Sequence, residues 1–464
     1  MGRHLVTELR QAIDAEAAGV AVLQLAGVLV VAALEPVSVA VAAVALLAFA
    51  LLAATSPVGG LAAVVLTLPY FFHPLTIGQQ AFAASEILLW SAAAGCALRL
   101  AFDSAQSRGA ASRVIVERMK PLMAQRYLLV LLIGCVVGAV LVVWPFDPSA
   151  RDAALREWRW TLFEPLLFIA LLITFVTNRR GMLLIASALL LSSTAIAIHG
   201  MFDLAEGGGI AAESVRRLSA PFPHPNAFAL YSLRVTTFAL ALWAFNPRWR
   251  RVVLIPASLS TIALLASFSR GALIALFVAL LVIGWRFGWR RQAALVVAAG
   301  VLCGMLVLLA GGRMLSAFEG GSVTLRGEIW TAALRMIRDR PIIGFGPDMF
   351  YYAYNPRYIE PTGWPERFTS HAHNLVLDAW IRLSIIGAVL AASALWRVGH
   401  ATLAVAADRF RRDLVAAAAV VALAALLVHG MVDNAYFGHD LAMSAWLLAW
   451  LAFGTATAAP AEGT

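Results

Sequence analysis

Long, unbroken apolar runs dominate this chain and decide the solvent in which it folds. About fourteen segments approach the roughly 17–25 residues that a helix needs to cross a bilayer. They lie near 19–34, 37–54, 57–72, 82–101, 127–144, 161–177, 181–200, 227–245, 252–268, 270–286, 293–311, 374–396, 414–431 and 440–456. The runs are continuous, whereas the strands of a membrane barrel alternate apolar and polar residues. Helices are therefore expected, since a helix satisfies its own backbone in hydrocarbon. The composition agrees: 61% of residues are hydrophobic and only 13% charged, with a mean hydropathy of +0.83. The expected fold is an all-α polytopic membrane protein of about 12–14 transmembrane helices. Its early turns are marked by Pro36, Pro57 and Pro74. Residues 1–200 read as N-terminal transmembrane helices, and 201–456 as a transmembrane core carrying one long polar loop, 312–373.

The charge pattern orients these helices. A net charge of +9 does not point to nucleic acid, because no basic soluble domain exists to carry such binding. Cytoplasmic loops collect arginine and lysine. With the N-terminus inside, the cytoplasmic loops hold Arg108, Arg113, Arg118, Lys120 and Arg126; Arg179 and Arg180; Arg248, Arg250 and Arg251; Arg286, Arg290 and Arg291; and Arg397, Arg409, Arg411 and Arg412. In the opposite loops acids intersperse the arginines, among them Asp147, Asp152, Glu157, Asp203, Glu206, Glu213, Glu319, Glu328, Asp348, Glu360 and Glu366. An N-in, C-in topology follows. It gathers residues 201–226, the turn 268–270, the loop 312–373 and residues 432–439 on one extracytoplasmic face. Residues 1–18 are charged and mildly amphipathic, and two apolar runs follow directly, so no cleavable signal peptide is expected. Cys96, Cys135 and Cys303 lie inside apolar spans and read as small buried hydrophobes.

The polar residues that suggest chemistry fall on that one face. His371-Ala372-His373-Asn374 ends the long loop and runs into an apolar segment. A histidine there touches water while a helix holds it, and a helix N-terminus favours neutral imidazole, ready to accept a proton. The alternative is an interfacial histidine with a structural hydrogen bond. The His371–His373 pair is a weak metal motif without a third donor. Arg216 and Arg217 open a segment stiffened by Pro221, Pro223 and Pro225. Their guanidinium forks suit a phosphate, although snorkelling or pairing with Glu213 would also account for them. Asn226 reads as the cap of the next helix. Arg270, between two spans with almost no loop, is either a headgroup anchor or a phosphate contact. Arg234 and Arg382 lie deeper and must face protein or a cavity; Asp378, one turn before Arg382, is a possible partner. Asp433 either caps a helix end or orients an imidazole. Within the loop, Leu325 to Arg338 reads as an amphipathic helix with Ile329, Ala333, Met336 and Ile337 on one side. Pro341 ends it, Gly344, Gly346 and Pro347 make a turn, and Tyr351, Tyr352, Tyr354, Tyr358 and Trp364 suit an interface or sugar faces.

Arginines that hold an anion beside a neutral histidine suit displacement of a lipid-linked phosphate by a hydroxyl. No Gly-rich nucleotide loop and no Asp-x-Asp pair appears near a span boundary.

At these residues the chain resembles the bacterial O-antigen ligase and O-antigen polymerase superfamily. The matching blocks are Arg217-Leu218-Ser219-Ala220-Pro221-Phe222-Pro223-His224-Pro225-Asn226, Ser269-Arg270-Gly271, Arg326-Gly327-Glu328-Ile329-Trp330, Pro341-Ile342-Ile343-Gly344-Phe345-Gly346, His371-Ala372-His373-Asn374 with Gly387, and Asp433. They occur in family order over about residues 200–440. Where a Glu and then a Gly are common, this sequence has Arg382 and Ser384.

The resemblance implies a GT-C-like architecture in the bacterial inner membrane. It also implies metal-independent, inverting glycosyl transfer from an undecaprenyl-pyrophosphate-linked glycan at the periplasmic face, with no cofactor. His373 would be the general base and Arg217, Arg270 and Arg216 would bind pyrophosphate. Asn374, His371, Asn226, Asp433, Arg326 and Arg234 would support them. A ligase transfers to lipid A–core oligosaccharide, and a polymerase to a second lipid-linked glycan; the ligase is the expectation and the polymerase the alternative. A lipid-glycan flippase would require inverted repeats and midplane polar residues. The sequence shows no repeat, and its polar set is one-sided.

Overall fold

The computed structural model describes residues 38–106, 128–212, 215–288 and 322–454. The apolar runs at 19–34 and 293–311, the basic cluster from Arg108 to Arg126, Arg290 and Arg291, Glu213, Glu319 and Cys303 lie outside the described residues. Every expected apolar run within them is helical, and the chain is an all-α polytopic membrane protein. Among the described residues, five helices have the length and apolarity to cross a membrane: 84–105, 148–175, 179–205, 225–245 and 375–406. Shorter apolar helices at Val39–Thr55, Pro57–Tyr70, Leu128–Val143 and Leu414–Gly430 accompany them. The helix expected at 161–177 begins earlier, at Pro148. Asp147 caps it by accepting the Ser149 amide at 2.9 Å, and a polar first half leads into the apolar part through a π-turn at Arg159–Phe163. Two three-residue hairpins, Leu75–Ile77 with Gln80–Phe82 and Ile210–Ala212 with Val215–Arg217, are the strands of the described residues.

The chain forms two compact units. The first comprises 1–129, 164–269 and 439–464. Its helices approach through small residues, as membrane helices do when no hydrophobic force drives them together. A Cβ on Gly95 of helix Ala84–Gln106 would lie 2.3 Å from the carbonyl of Ala50 in helix Val39–Thr55. Polar side chains supply the remaining specificity. Ser193 and Ser260 bond at 3.0 Å, and Ser192 and Tyr231 at 2.9 Å. Glu164 accepts from Trp90 Nε1 at 3.1 Å and lies 3.0 Å from His439 Nδ1. Interhelical bonds of this kind contribute about 0.6 kcal/mol each on average in a membrane.

The second unit comprises 130–163 and 270–438. Its core centres on the amphipathic helix expected in the long loop, which runs Ser322–Asp339. Ile329, Ala332, Ala333 and Met336 of that helix are buried with Phe345, Phe350, Tyr354, Ala372 and Ile381. Burying each large side chain here stabilises by about 1.5–3 kcal/mol. Pro341 follows the helix, and Gly344 and Gly346 take φ of 70° and 106°. Gly344 is required by contact as well: a Cβ there would lie 2.7 Å from the carbonyl of Ile381.

That contact explains a break in helix Leu375–Leu403. Leu383 and Ser384 leave helical geometry there. The Ile381 carbonyl instead accepts the Phe345 amide at 2.7 Å, and the Ile385 amide donates to Ile342 O at 3.3 Å. The loop backbone thus satisfies groups that the helix gives up.

Candidate functional site

In the second unit, three segments converge on Asp433. His373 Nδ1 lies 3.0 Å from Asp433 Oδ1, His371 Nε2 lies 3.7 Å from the same oxygen, and Arg326 Nη2 lies 3.6 Å from Oδ2. Asp433 is buried, while His371, His373 and Arg326 keep about a fifth of their side chains exposed. Arg326 comes from the first turns of helix Ser322–Asp339, the histidines from the end of the long loop, and Asp433 from the turn after helix Leu414–Gly430. The alternative of Asp433 as a mere helix-end cap is insufficient to describe it, because it faces both imidazoles as well as the Asn434 amide at 2.9 Å.

Local structure fixes these side chains. Asn374 caps helix Leu375–Leu403. Its Oδ1 accepts from Val376 and Leu377, and its Nδ2 donates to Met431 O at 3.0 Å. That last bond ties the helix start to the turn that carries Asp433. The Ala372 amide donates to Asp378 Oδ1 at 2.8 Å. His373 itself has φ of 50°, uncommon for a residue with a side chain and held only where the surroundings over-determine it. The turn at Arg270 packs nearby: a Cβ on Gly271 would lie 3.1 Å from the Val432 side chain. Arg270 is exposed at the first residue of helix Arg270–Arg286.

Electrostatics separate the roles of these groups. Burial pushes Asp433 up, but the hydrogen bonds and charges of His371 and His373 outweigh it and hold the carboxyl well below its usual range. Burial, followed by the neighbouring His373, pulls His371 below the ordinary imidazole value. The contact of His373 Nδ1 with a carboxylate calls for a proton on Nδ1, which leaves the lone pair at Nε2. Nε2 faces Thr369 Oγ1 at 3.5 Å.

Arg382 is anchored more firmly than its expected partner implied. Asp378 Oδ1 is 3.8 Å from its Nε, but Nη1 donates directly to Glu157 and Nη2 to Ser370 O, 2.6 Å away. The guanidinium also lies 4.8 Å from the Phe437 ring centroid. Glu157, Thr369 and Ser370 were not singled out from the sequence. Glu157 had no local signal, and the two hydroxyls read as ordinary loop residues.

In the first unit, Arg217 is held by two acceptors. Its Nε donates to Ser267 O at 2.8 Å, and Nη2 to Asn226 Oδ1 at 3.0 Å. Asn226 is therefore not the helix cap. Pro225 occupies the first helical position, and His224 Nδ1 accepts the Asn226 amide at 3.1 Å. Arg216 is exposed and donates to Gly207 O and, at 3.1 Å, to Gly208 O, just before its own hairpin. Arg234 is buried in helix Pro225–Phe245, where it donates to Leu230 O, to Leu441 O at 2.7 Å and to Ser444 Oγ at 2.9 Å. These bonds give it a role in helix packing.

No curated protein matches the chain significantly. The family model described as O-antigen ligase matches residues 255–392 of this multi-pass membrane protein, from the helix before Arg270 into the kinked helix that follows His373.

Proposed function

We propose that this protein is a ligase-type membrane glycosyltransferase. It moves a glycan from an undecaprenyl pyrophosphate carrier to a hydroxyl of lipid A–core oligosaccharide, at the periplasmic face of the inner membrane, with both termini cytoplasmic. The observation that carries the reading is the His373–Asp433 pair at 3.0 Å, in a chain whose segment 255–392 matches the O-antigen ligase family.

The chemistry follows from that pair. Asp433 holds the Nδ1 proton of His373 and leaves Nε2 as the acceptor, the division of labour of an oriented catalytic histidine. Nε2 takes the proton of the acceptor hydroxyl as its oxygen attacks the anomeric carbon. The bond to pyrophosphate breaks on the opposite face, so the configuration inverts. Arg217 and Arg270 neutralise the charge that develops on the leaving pyrophosphate; their assignment rests on their motifs. Base and cations supply the catalysis, and the scheme calls for no cofactor. Arg326 and His371 shape the surroundings of Asp433, and Asn374 holds the turn beside it.

A polymerase differs only in the acceptor, a second lipid-linked glycan, and a base at His373 would serve either hydroxyl. Purified protein reconstituted with a lipid-linked glycan and each acceptor in turn separates the two. Transfer to lipid A–core alone supports the ligase, and elongation of the lipid-linked glycan supports the polymerase. Full transfer to both acceptors by His373→Ala would remove the base assignment. Labelled lipid-linked glycan that crosses a proteoliposome without bond exchange would replace the whole reading with transport.

A further inference from the structure

Two histidines without a third donor make a weak metal motif; the fold supplies the third. One ring nitrogen each of His371 and His373 and a carboxylate oxygen of Asp433 all lie within 4.8 Å of one another. The separations to Asp433 are 3.7 and 3.0 Å. Zinc binds imidazole nitrogen and carboxylate oxygen at about 2.0–2.2 Å, so tetrahedral neighbours stand about 3.3 Å apart. The two separations to Asp433 bracket that value. The two rings sit with centroids 4.1 Å apart and planes inclined by 57°, so they lie side by side without stacking.

The outer contacts match as well. A ligating histidine offers its second nitrogen to a hydrogen-bonding partner that fixes the ring. His371 Nδ1 lies 3.3 Å from Ser370 Oγ, and His373 Nε2 lies 3.5 Å from Thr369 Oγ1. The Asn434 amide donates to Asp433 Oδ1 at 2.9 Å, and Arg326 engages Oδ2. Imidazole and carboxylate together favour zinc, copper or nickel over magnesium or calcium.

We propose that His371, His373 and Asp433 form a binding site for one divalent cation of the zinc class, and that its occupancy switches off the base function of His373. The second clause rests on the function proposed above. A cation on Nδ1 takes the place of the proton there. The neutral ring then carries its single proton on Nε2, where it donates to Thr369 Oγ1 and has no lone pair for an acceptor hydroxyl. The cation is an inhibitor and not a participant, and Arg326 opposes it by adding positive charge beside Asp433.

The test uses the full-length chain in detergent, stripped with a chelator and free of a polyhistidine tag. It is titrated with Zn²⁺ alone by calorimetry and with Co²⁺ alone by visible absorption. One strong site per chain is expected, with the absorption of tetrahedral cobalt. His371→Ala and Asp433→Asn should abolish it. Ser370→Ala keeps every ligand and should weaken it about 10–100-fold, while Arg326→Gln also keeps every ligand and should tighten it. These two variants decide the matter if a ligand variant misfolds. Zinc affinity that is unchanged in all four variants, or no strong binding in the native chain, overturns the site and leaves the base assignment standing. Zinc that binds with the expected mutational pattern while glycan transfer continues at saturation upholds the site and overturns the base assignment.

Discussion

Arg382 and Glu157, 225 positions apart, form an ion pair at the break in helix Leu375–Leu403. Arg382 is 1% exposed, so its charge depends on this partner, on Asp378 and on the carbonyl of Ser370. Removing one member of a buried pair leaves an uncompensated charge and costs about 3–5 kcal/mol. Glu157→Ala and Arg382→Met should each lower the unfolding midpoint by that amount of stability. The double variant Glu157→Leu/Arg382→Met should recover most of it, because an apolar pair removes the desolvation cost. Glycan transfer should not recover with it, since the Ser370 carbonyl, next to His371, has lost its donor. Thermal unfolding and turnover measured on the same preparations check both halves. Equal recovery of stability and turnover would limit Arg382 to packing.

The oriented imidazole makes a separate prediction. General-base catalysis contributes about 10²–10⁴-fold. His373→Ala should lose that much turnover with little change in affinity for the lipid-linked donor. Asp433→Asn should approach the same loss, because an amide can donate to Nδ1 and so favour the wrong tautomer. Single-turnover transfer rates with donor binding measured separately distinguish the two effects. A fall in donor affinity alone would make the pair a binding element.

Much of this arrangement was legible in the sequence, for identifiable reasons. Helix 325–338 announced itself by Ile329, Ala333, Met336 and Ile337 at helical spacing, and Asn374 by its place before an apolar run. Both are local signals. Glu157 was invisible because its partner lies far along the chain, and periodicity carries no information at that range. Asp433 was recognised as a carboxylate that orients or caps, but its contacts with two imidazoles and Arg326 needed the fold. Asn226 was misread as a cap because the helix starts two residues earlier, at Pro225, which hands that role to His224.

Ser384 offers a test of backbone strain. Its φ of 68° and ψ of −174° fall in a region that is essentially restricted to glycine and costs about 1–3 kcal/mol for other residues. The hydroxyl offsets part of that cost by accepting the Ile386 amide at 3.2 Å. Ser384→Gly should therefore stabilise the protein by about 1 kcal/mol. Ser384→Ala, which keeps the strain and loses the bond, should destabilise it by about 0.5–1.5 kcal/mol. Chemical unfolding of the two variants gives opposite signs if strain dominates, and the same sign if the hydrogen bond does.

Arg217 tests whether the donor is recognised by a charge or by a fork. Its Nε and Nη2 are directed to Ser267 O and Asn226 Oδ1, an orientation that lysine, a single ammonium on a flexible stem, does not reproduce. Arg217→Lys should therefore resemble Arg217→Ala and raise the KM for the lipid-linked donor. A hydrogen bond to a charged group contributes about 1.5–3 kcal/mol, which corresponds to roughly 10–150-fold. Asn226→Ala removes one anchor of the fork and keeps the charge, so its KM should rise less. Steady-state transfer at varied donor concentration reads all three variants. If Arg217→Lys restores the native KM, charge alone suffices and the two acceptors serve only to pack the loop.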